Sequence, residues 1–194
     1  MQISVNKPQG KFLAMPDRIK YKAFVSGFGG GKTFVGCIQQ CLDYWRYPGI
    51  NQLYAAPTIP QIRDIYYPTI MQVSELMGLR VEVREGNKEV HFYEGRKYRG
   101  TTICRSMQIP ESIVGFKVGS ALVDEIDIMD AMKAERAWNK ILGRMRYENA
   151  TNRVSVTSTP EGYKFIYNRF VMNATERYGL VQASTYDNEL NLPP

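Results

Sequence analysis

The chain has 194 residues, 44% of them hydrophobic and 23% charged, which gives one α/β domain a full core and excludes a disordered or fibrous chain. No apolar run approaches the ~20 residues that span a bilayer, and the opening Met-Gln-Ile-Ser-Val-Asn-Lys-Pro lacks an apolar signal segment, so a soluble intracellular protein is expected. The net charge of +6 and a pI near 9.2 favour an anionic partner, while a single histidine, His91, and three cysteines, Cys37, Cys41 and Cys104, exclude a zinc cluster and a Ser-His or Cys-His catalytic set.

Positive residues gather first between Lys7 and Lys22. Ala23–Ser26 then reads as an apolar strand, followed by Gly27-Phe28-Gly29-Gly30-Gly31-Lys32-Thr33 and a helix over Lys32–Tyr47 that Pro48-Gly49 ends. Glycines let the backbone curl with its N–H groups inward, and the helix N-terminus adds its dipole at the same place. The expected result is a polyphosphate-binding loop formed by Ser26 to Gly31. Lys32 reaches the β- and γ-phosphates as a catalytic cation, and the Thr33 hydroxyl binds Mg²⁺. Ser26 stands where the G-x-x-x-x-G-K-[ST] pattern has its first glycine. Cys37 and Cys41, one helical turn apart, are expected to pack as small apolar groups.

Gln52–Ala56 reads as a second strand, stopped by Pro57, and a helix runs from Pro60 to Leu76 with Pro68 predicting a kink or break. Arg80–Arg84, Glu89–Tyr93 and Thr101–Arg105 are short strands joined by glycine turns, an antiparallel insertion at one sheet edge. Within it, Arg96-Lys97-Tyr98-Arg99 suits either phosphate contact or a solvated hairpin rim, and His91 is ordinary strand surface. Ser120–Asp124 is a buried strand ending in acids, Met132–Leu142 a helix, Arg153–Thr157 a strand, Gly162–Phe170 a helix and Leu180–Ala183 a last strand. Alternating strands and helices predict an α/β P-loop NTPase fold, a mostly parallel central sheet with helices on both faces and ligands at the strands' carboxyl ends.

A phosphate loop needs an acid for its metal, and Leu122-Val123-Asp124-Glu125 supplies two carboxylates. Asp124, emerging from the buried strand, is expected to hold Mg²⁺ opposite Thr33; Glu125 is placed to deprotonate an attacking water. The hydroxyl cluster Thr157-Ser158-Thr159, followed by Pro160-Glu161-Gly162, ends the next strand, where it can touch the γ-phosphate or cap a helix.

The order Gln9, glycine loop-Lys-Thr, Leu-Val-Asp-Glu, Ser-Thr-Pro-Glu-Gly and Ser184-Thr185-Tyr186-Asp187-Asn188 resembles the ATPase domain of bacteriophage terminase large subunits, the motors that pump viral DNA into a capsid. The resemblance runs nearly the whole chain. It implies an ATP-hydrolysing translocase of double-stranded DNA, with portal protein and small terminase subunit as partners. It implies a homo-oligomeric ring on the capsid, monomeric in isolation, in the cytoplasm of an infected bacterium. By resemblance Pro8–Phe12 is the adenine-reading segment, with Gln9 on the base, and Ser158-Thr159-Pro160 is the coupling motif. Where many members carry Arg-Gly before the acidic strand, this chain has Val114-Gly115; Arg105, Lys117, Arg144 and Arg146 are the alternatives for an arginine finger. The family's nuclease domain is expected beyond a linker starting at Asn191-Leu192-Pro193-Pro194, leaving residues 1–194 as a single motor domain. A helicase-like P-loop ATPase and a nucleotide-binding assembly module are the rival readings.

Overall fold

The computed structural model describes residues 3–191; apart from Asn191, the expected linker lies outside them. Eight strands form one sheet in the order β3-β4-β5-β2-β6-β7-β1-β8. They are β1 (Tyr21–Ser26), β2 (Gln52–Ala56), β3 (Arg80–Arg84), β4 (Glu89–Glu94), β5 (Lys97–Ser106), β6 (Ser120–Asp124), β7 (Arg153–Ser158) and β8 (Tyr178–Ala183). From β5 to β8 all neighbours run parallel, whereas β3 and β4 add an antiparallel meander on one edge. The central strands β2, β6 and β7 are buried along their whole length, as parallel strands covered on both faces must be.

The helices are α1 (Lys7–Leu13), α2 (Lys32–Arg46), α3 (Ile59–Gln61), α4 (Tyr67–Leu76) and α5 (Ala131–Leu142). Helices α2 and α4 and the turn before α4 cover one face, packing Cys37, Cys41, Tyr44, Tyr66 and Ile70 on Tyr54 and Leu122. On the other face α5 and the Phe165–Phe170 segment bury Trp138, Ile141 and Phe165 against Ala23, Leu53, Val123 and Val156. Strand residues alternate between the two cores: Leu53 and Ala55 face one, Tyr54 and Ala56 the other. All three cysteines are buried and unpaired. Among the described residues no helix is long and apolar enough to cross a membrane.

Two segments gain detail and two expectations are revised. The Pro8–Phe12 segment is helical, because Asn6 and Gln9 form a reciprocal capping box with proline in the first turn. The irregularity expected near Pro68 is a π-helical turn, Ile62–Tyr66, which joins α3 to α4 and leaves Pro68 in the first turn of α4, where its missing N–H costs no helix bond. The helix expected at Gly162 starts only at Phe165 and runs as a π-helix over Tyr167–Met172, since Gly162 has a φ of 74°. Arg99, expected at a rim or on phosphate, is buried instead. Its guanidinium lies 4.9 Å from the Trp45 ring centroid, donates to the Trp45 carbonyl and pairs with Glu94.

Candidate functional site

Strand β1 ends at Ser26, the chain turns through Gly27–Gly31, and α2 starts at Lys32. Gly31 has a φ of 71° and no side-chain cap covers the first turn of α2, so its N–H groups stay available to an anion. Gly30 is required for another reason: a Cβ there would lie 2.1 Å from Ser26 Oγ. Ser26 is buried and its hydroxyl donates to the Gly27 carbonyl at 3.3 Å. A serine thus replaces the first loop glycine because Gly30 leaves room for it. Phe28 stands exposed at the loop tip. The Lys32 ammonium is folded into the loop, donating to the Gly27 carbonyl at 3.0 Å and lying 3.5 Å from Glu125 Oε1.

Asp124 ends β6 and is buried. Thr33 Oγ1 and Tyr54 OH donate to its Oδ2 at 3.0 and 2.9 Å, and Thr157 Oγ1 donates to Oδ1 at 2.7 Å. Burial pushes its pKa up; the Thr157 hydroxyl opposes this, the Glu125 charge adds to it, and the Tyr54 and Thr33 hydroxyls oppose it again. The Thr33 hydroxyl and the Asp124 carboxylate are hard oxygen donors side by side, which suits Mg²⁺ held largely by phosphates and water. No group of three or more His, Cys, Asp or Glu side chains able to hold a metal exists among the described residues, and a nucleotide-borne Mg²⁺ needs none.

Glu125 follows in the left-handed region, φ 51° and ψ 40°, a strained conformation for a residue with a side chain. Its backbone N–H is held by the Thr157 carbonyl at 2.7 Å. Thr159 donates its N–H to Oε2 at 2.8 Å and its hydroxyl to Oε1 at 3.1 Å. Ser158, also buried, accepts from the Asp127 N–H at 3.1 Å.

Two adjoining clefts meet at Gly31, Phe34 and Gln72. One, of about 310 Å³, contains Gly29 to Thr33 and Glu125; the other, of about 360 Å³, contains Ser4, Gln9 and Asn188. Gln9 Nε2 donates to the Gly31 carbonyl at 3.3 Å and Oε1 accepts from Asn6 N–H at 3.0 Å, so this amide couples the α1 cap to the end of the glycine loop.

The family model "Terminase large subunit, T4likevirus-type, N-terminal" matches residues 23–194. This chain belongs to the terminase large-subunit family. Its fold is similar to that of the large terminase of a thermophilic bacteriophage in complex with ADP, with TM-score 0.83 and 18% identity over 97% of this chain and 48% of that one. It is similar to the Thermus phage P74-26 large terminase ATPase domain, with TM-score 0.71 and 15% identity over 96% and 84%. The N-terminal domain of the DNA packaging ATPase from bacteriophage phi29 gives TM-score 0.62 and 12% identity over 91% and 95%. The chain spans about half the length of the ADP-bound terminase. No curated protein matches it in sequence.

Three parts of the candidate site escaped the sequence. Tyr54 on β2 looked like one more apolar strand residue; it holds Asp124 while its ring stacks on Tyr66 at 3.6 Å. Asp127, buried, accepts from the N–H groups of Glu161 and Ile166 at 3.0 and 2.8 Å, and so pins the loop after β7 to the one after β6. The Asp-Glu-x-Asp spacing was its only signal. Thr185 and Asn188, read only as part of the family pattern, clasp the glycine loop through the Phe28 and Gly29 carbonyls at 3.0 and 2.7 Å. Of the finger alternatives, Lys117, Arg144 and Arg146 precede β6 and β7 at the opposite end of the sheet from Lys32. Arg105 lies near the top of β5, donating to the Cys104 carbonyl with its guanidinium 5.3 Å from the Phe116 ring centroid.

Proposed function

We propose that this chain is an ATP-hydrolysing motor domain that drives double-stranded DNA into a procapsid, acting with portal protein and small terminase subunit as a ring in the cytoplasm of an infected bacterium. The observation that carries the reading is the convergence of Lys32, Asp124, Glu125 and Thr159 at the ends of three adjacent elements. Family membership and a relative solved with ADP and with ATP-γ-S support nucleotide binding here.

The N–H groups of residues 27–33 hold the phosphates and Gln9 reads the base. Lys32 leaves the Gly27 carbonyl for the β- and γ-phosphates, exchanging a neutral acceptor for an anionic one. Thr33 and Asp124 would hold a Mg²⁺ that arrives with the phosphates, and that ion would supply charge neutralisation on the transferring group. Glu125 orients the attacking water and takes its proton. To do so it exchanges its bonds with Thr159, and the Ser158-Thr159-Pro160 loop registers that exchange as motion after β7. Residues 1–194 form one such domain, with any nuclease chemistry lying outside it.

ATP turnover with and without duplex DNA tests this reading. Stimulation by duplex is expected, with no cleavage of DNA in Mg²⁺ or Mn²⁺. Nucleotide binding without any turnover would favour an assembly module, and strand separation would favour a helicase.

A further inference from the structure

The end of the sheet opposite the nucleotide site carries the protein's positive charge. The segments leading into the parallel strands (17–22, 46–51, 94–99, 114–119, 140–153 and 173–178) hold thirteen of the 25 Lys and Arg residues but four of the 19 Asp and Glu. The rest of the molecule is therefore net acidic, although the whole chain is +6. At the centre of this basal end lies a cleft of about 540 Å³, larger than either nucleotide-side cleft, lined by Arg46, Tyr47, Lys117, Arg146, Tyr147 and Glu148.

Some of this charge has an internal use. Arg46 and Arg153 share Asp17, Lys20 donates to the Thr151 carbonyl, Lys22 is buried, and Lys140 closes the last turn of α5, where a cation offsets the helix dipole. Lys117 and Arg146 have no such use: both are exposed at the mouth of the cleft, and neither has a carboxylate partner among the described residues. Lys117 lies 5.1 Å from the Tyr147 ring centroid, which holds its ammonium outward over an aromatic floor.

We propose that this basal end is the DNA-binding face of the domain, taking the phosphate backbone of a duplex across the starts of β5, β2, β6, β7, β1 and β8, with Lys117 and Arg146 as its central contacts. The inference rests on the motor reading above and locates its polymer. Extent selects the ligand. Six strand starts about 4.8 Å apart spread the cations over roughly 24 Å. A nucleotide's phosphates cover a fraction of that, whereas a duplex offers one charge per ~1.7 Å of axis. Lys and Arg point charges with tyrosine hydroxyls suit backbone contact and carry no base readout.

Anisotropy of a fluorescent 30-base-pair duplex tests the assignment, comparing the intact chain, the double variant Lys117→Glu/Arg146→Glu and an equal charge change on the nucleotide side, Lys88→Glu/Lys133→Glu. The basal variant should lose at least tenfold in affinity at low salt, and its log K against log[salt] slope should fall by about two, at ~0.9 per phosphate contact. The nucleotide-side variant should keep most of the affinity and the slope. Equal losses in both variants, or none in the basal one, would overturn the proposal, as would a basal variant that binds duplex normally but loses self-association in sedimentation, which would make this face a protein interface. ATP binding by the same samples reports separately on the motor reading: it should be unchanged in both variants, and its loss from the intact chain would sink that reading instead.

Discussion

Thr159 donates both its backbone N–H and its hydroxyl to the two carboxylate oxygens of Glu125, at 2.8 and 3.1 Å. The bond joins the acid after β6 to the loop after β7, and the Asp127 bonds to Glu161 and Ile166 continue the seam. Thr159 occupies one acceptor site on each oxygen of a carboxylate that has about four, so a proton taken from water by Glu125 would weaken the bonds that hold this loop.

Thr159→Val keeps the N–H bond and removes the hydroxyl. The ratio of DNA-stimulated to basal ATP turnover should fall at least threefold while nucleotide affinity stays within about twofold, since hydrogen bonds to charged groups contribute roughly 1.5–3 kcal/mol. Steady-state turnover with and without duplex measures the ratio; an unchanged ratio would rule out a relay through this hydroxyl.

Glu125→Gln should retain Mg·ATP binding and lose hydrolysis by about a hundredfold or more, the scale of general-base removal. Asp124→Asn should weaken Mg²⁺-dependent binding itself, because three hydroxyls converge on that carboxylate. Calorimetric titration beside single-turnover hydrolysis separates the two; identical behaviour would refute the division of labour.

Lys32→Ala should abolish nucleotide binding with little change in melting temperature. Its ammonium makes one carbonyl contact, one long ion pair and a contact with the exposed Phe28 ring at 5.7 Å, none of which belongs to the core. Full nucleotide affinity in a folded variant would contradict the phosphate-loop assignment.

What the sequence disclosed and concealed follows from range. Glycine torsion, strand burial and helix starts are local, so the glycine turn, the placement of Asp124 and Glu125 at the end of β6 and the edge meander were readable from residue type and spacing. Tyr54 becomes a site residue only because β2 pairs with β6, a register that periodicity does not encode. Asp127 reaches Ile166 across 39 positions and accepts from an N–H in the first turn of the helix that starts at Phe165, a long-range cap that spacing does not encode. The capping box at Asn6 and Gln9 was readable in principle, but Gly10 in the segment weakened the helical signal.

Lys22 gives a pH signature. Buried on β1, it donates to the Phe12 carbonyl at 3.0 Å and to Gln39 Oε1 at 2.5 Å. Burial pulls its pKa down to about 7 from 10.5, Arg153 lowering it further and Asp43 and Asp17 opposing. Below pH 7 both folded and unfolded chains are protonated and the burial cost stands in full. Between pH 7 and 10.5 the unfolded chain keeps a proton that the folded one releases, so stability rises with pH. Asp43, held above the ordinary carboxylate range mainly by burial, acts in the opposite sense at lower pH. The melting temperature of the intact protein minus that of Lys22→Met should therefore increase from pH 7 to pH 9; a flat or falling difference would contradict a buried, depressed lysine.

A crystal structure with Mg²⁺ and ATP-γ-S tests the central claim most directly. The account predicts phosphates against the N–H groups of residues 29–33, Lys32 withdrawn from the Gly27 carbonyl, the metal between Thr33 and Asp124, and Glu125 released from Thr159 toward a water facing the γ-phosphate. A nucleotide bound away from the glycine loop, or phosphates in the loop with Lys32 and Glu125 still in their present contacts, would contradict it.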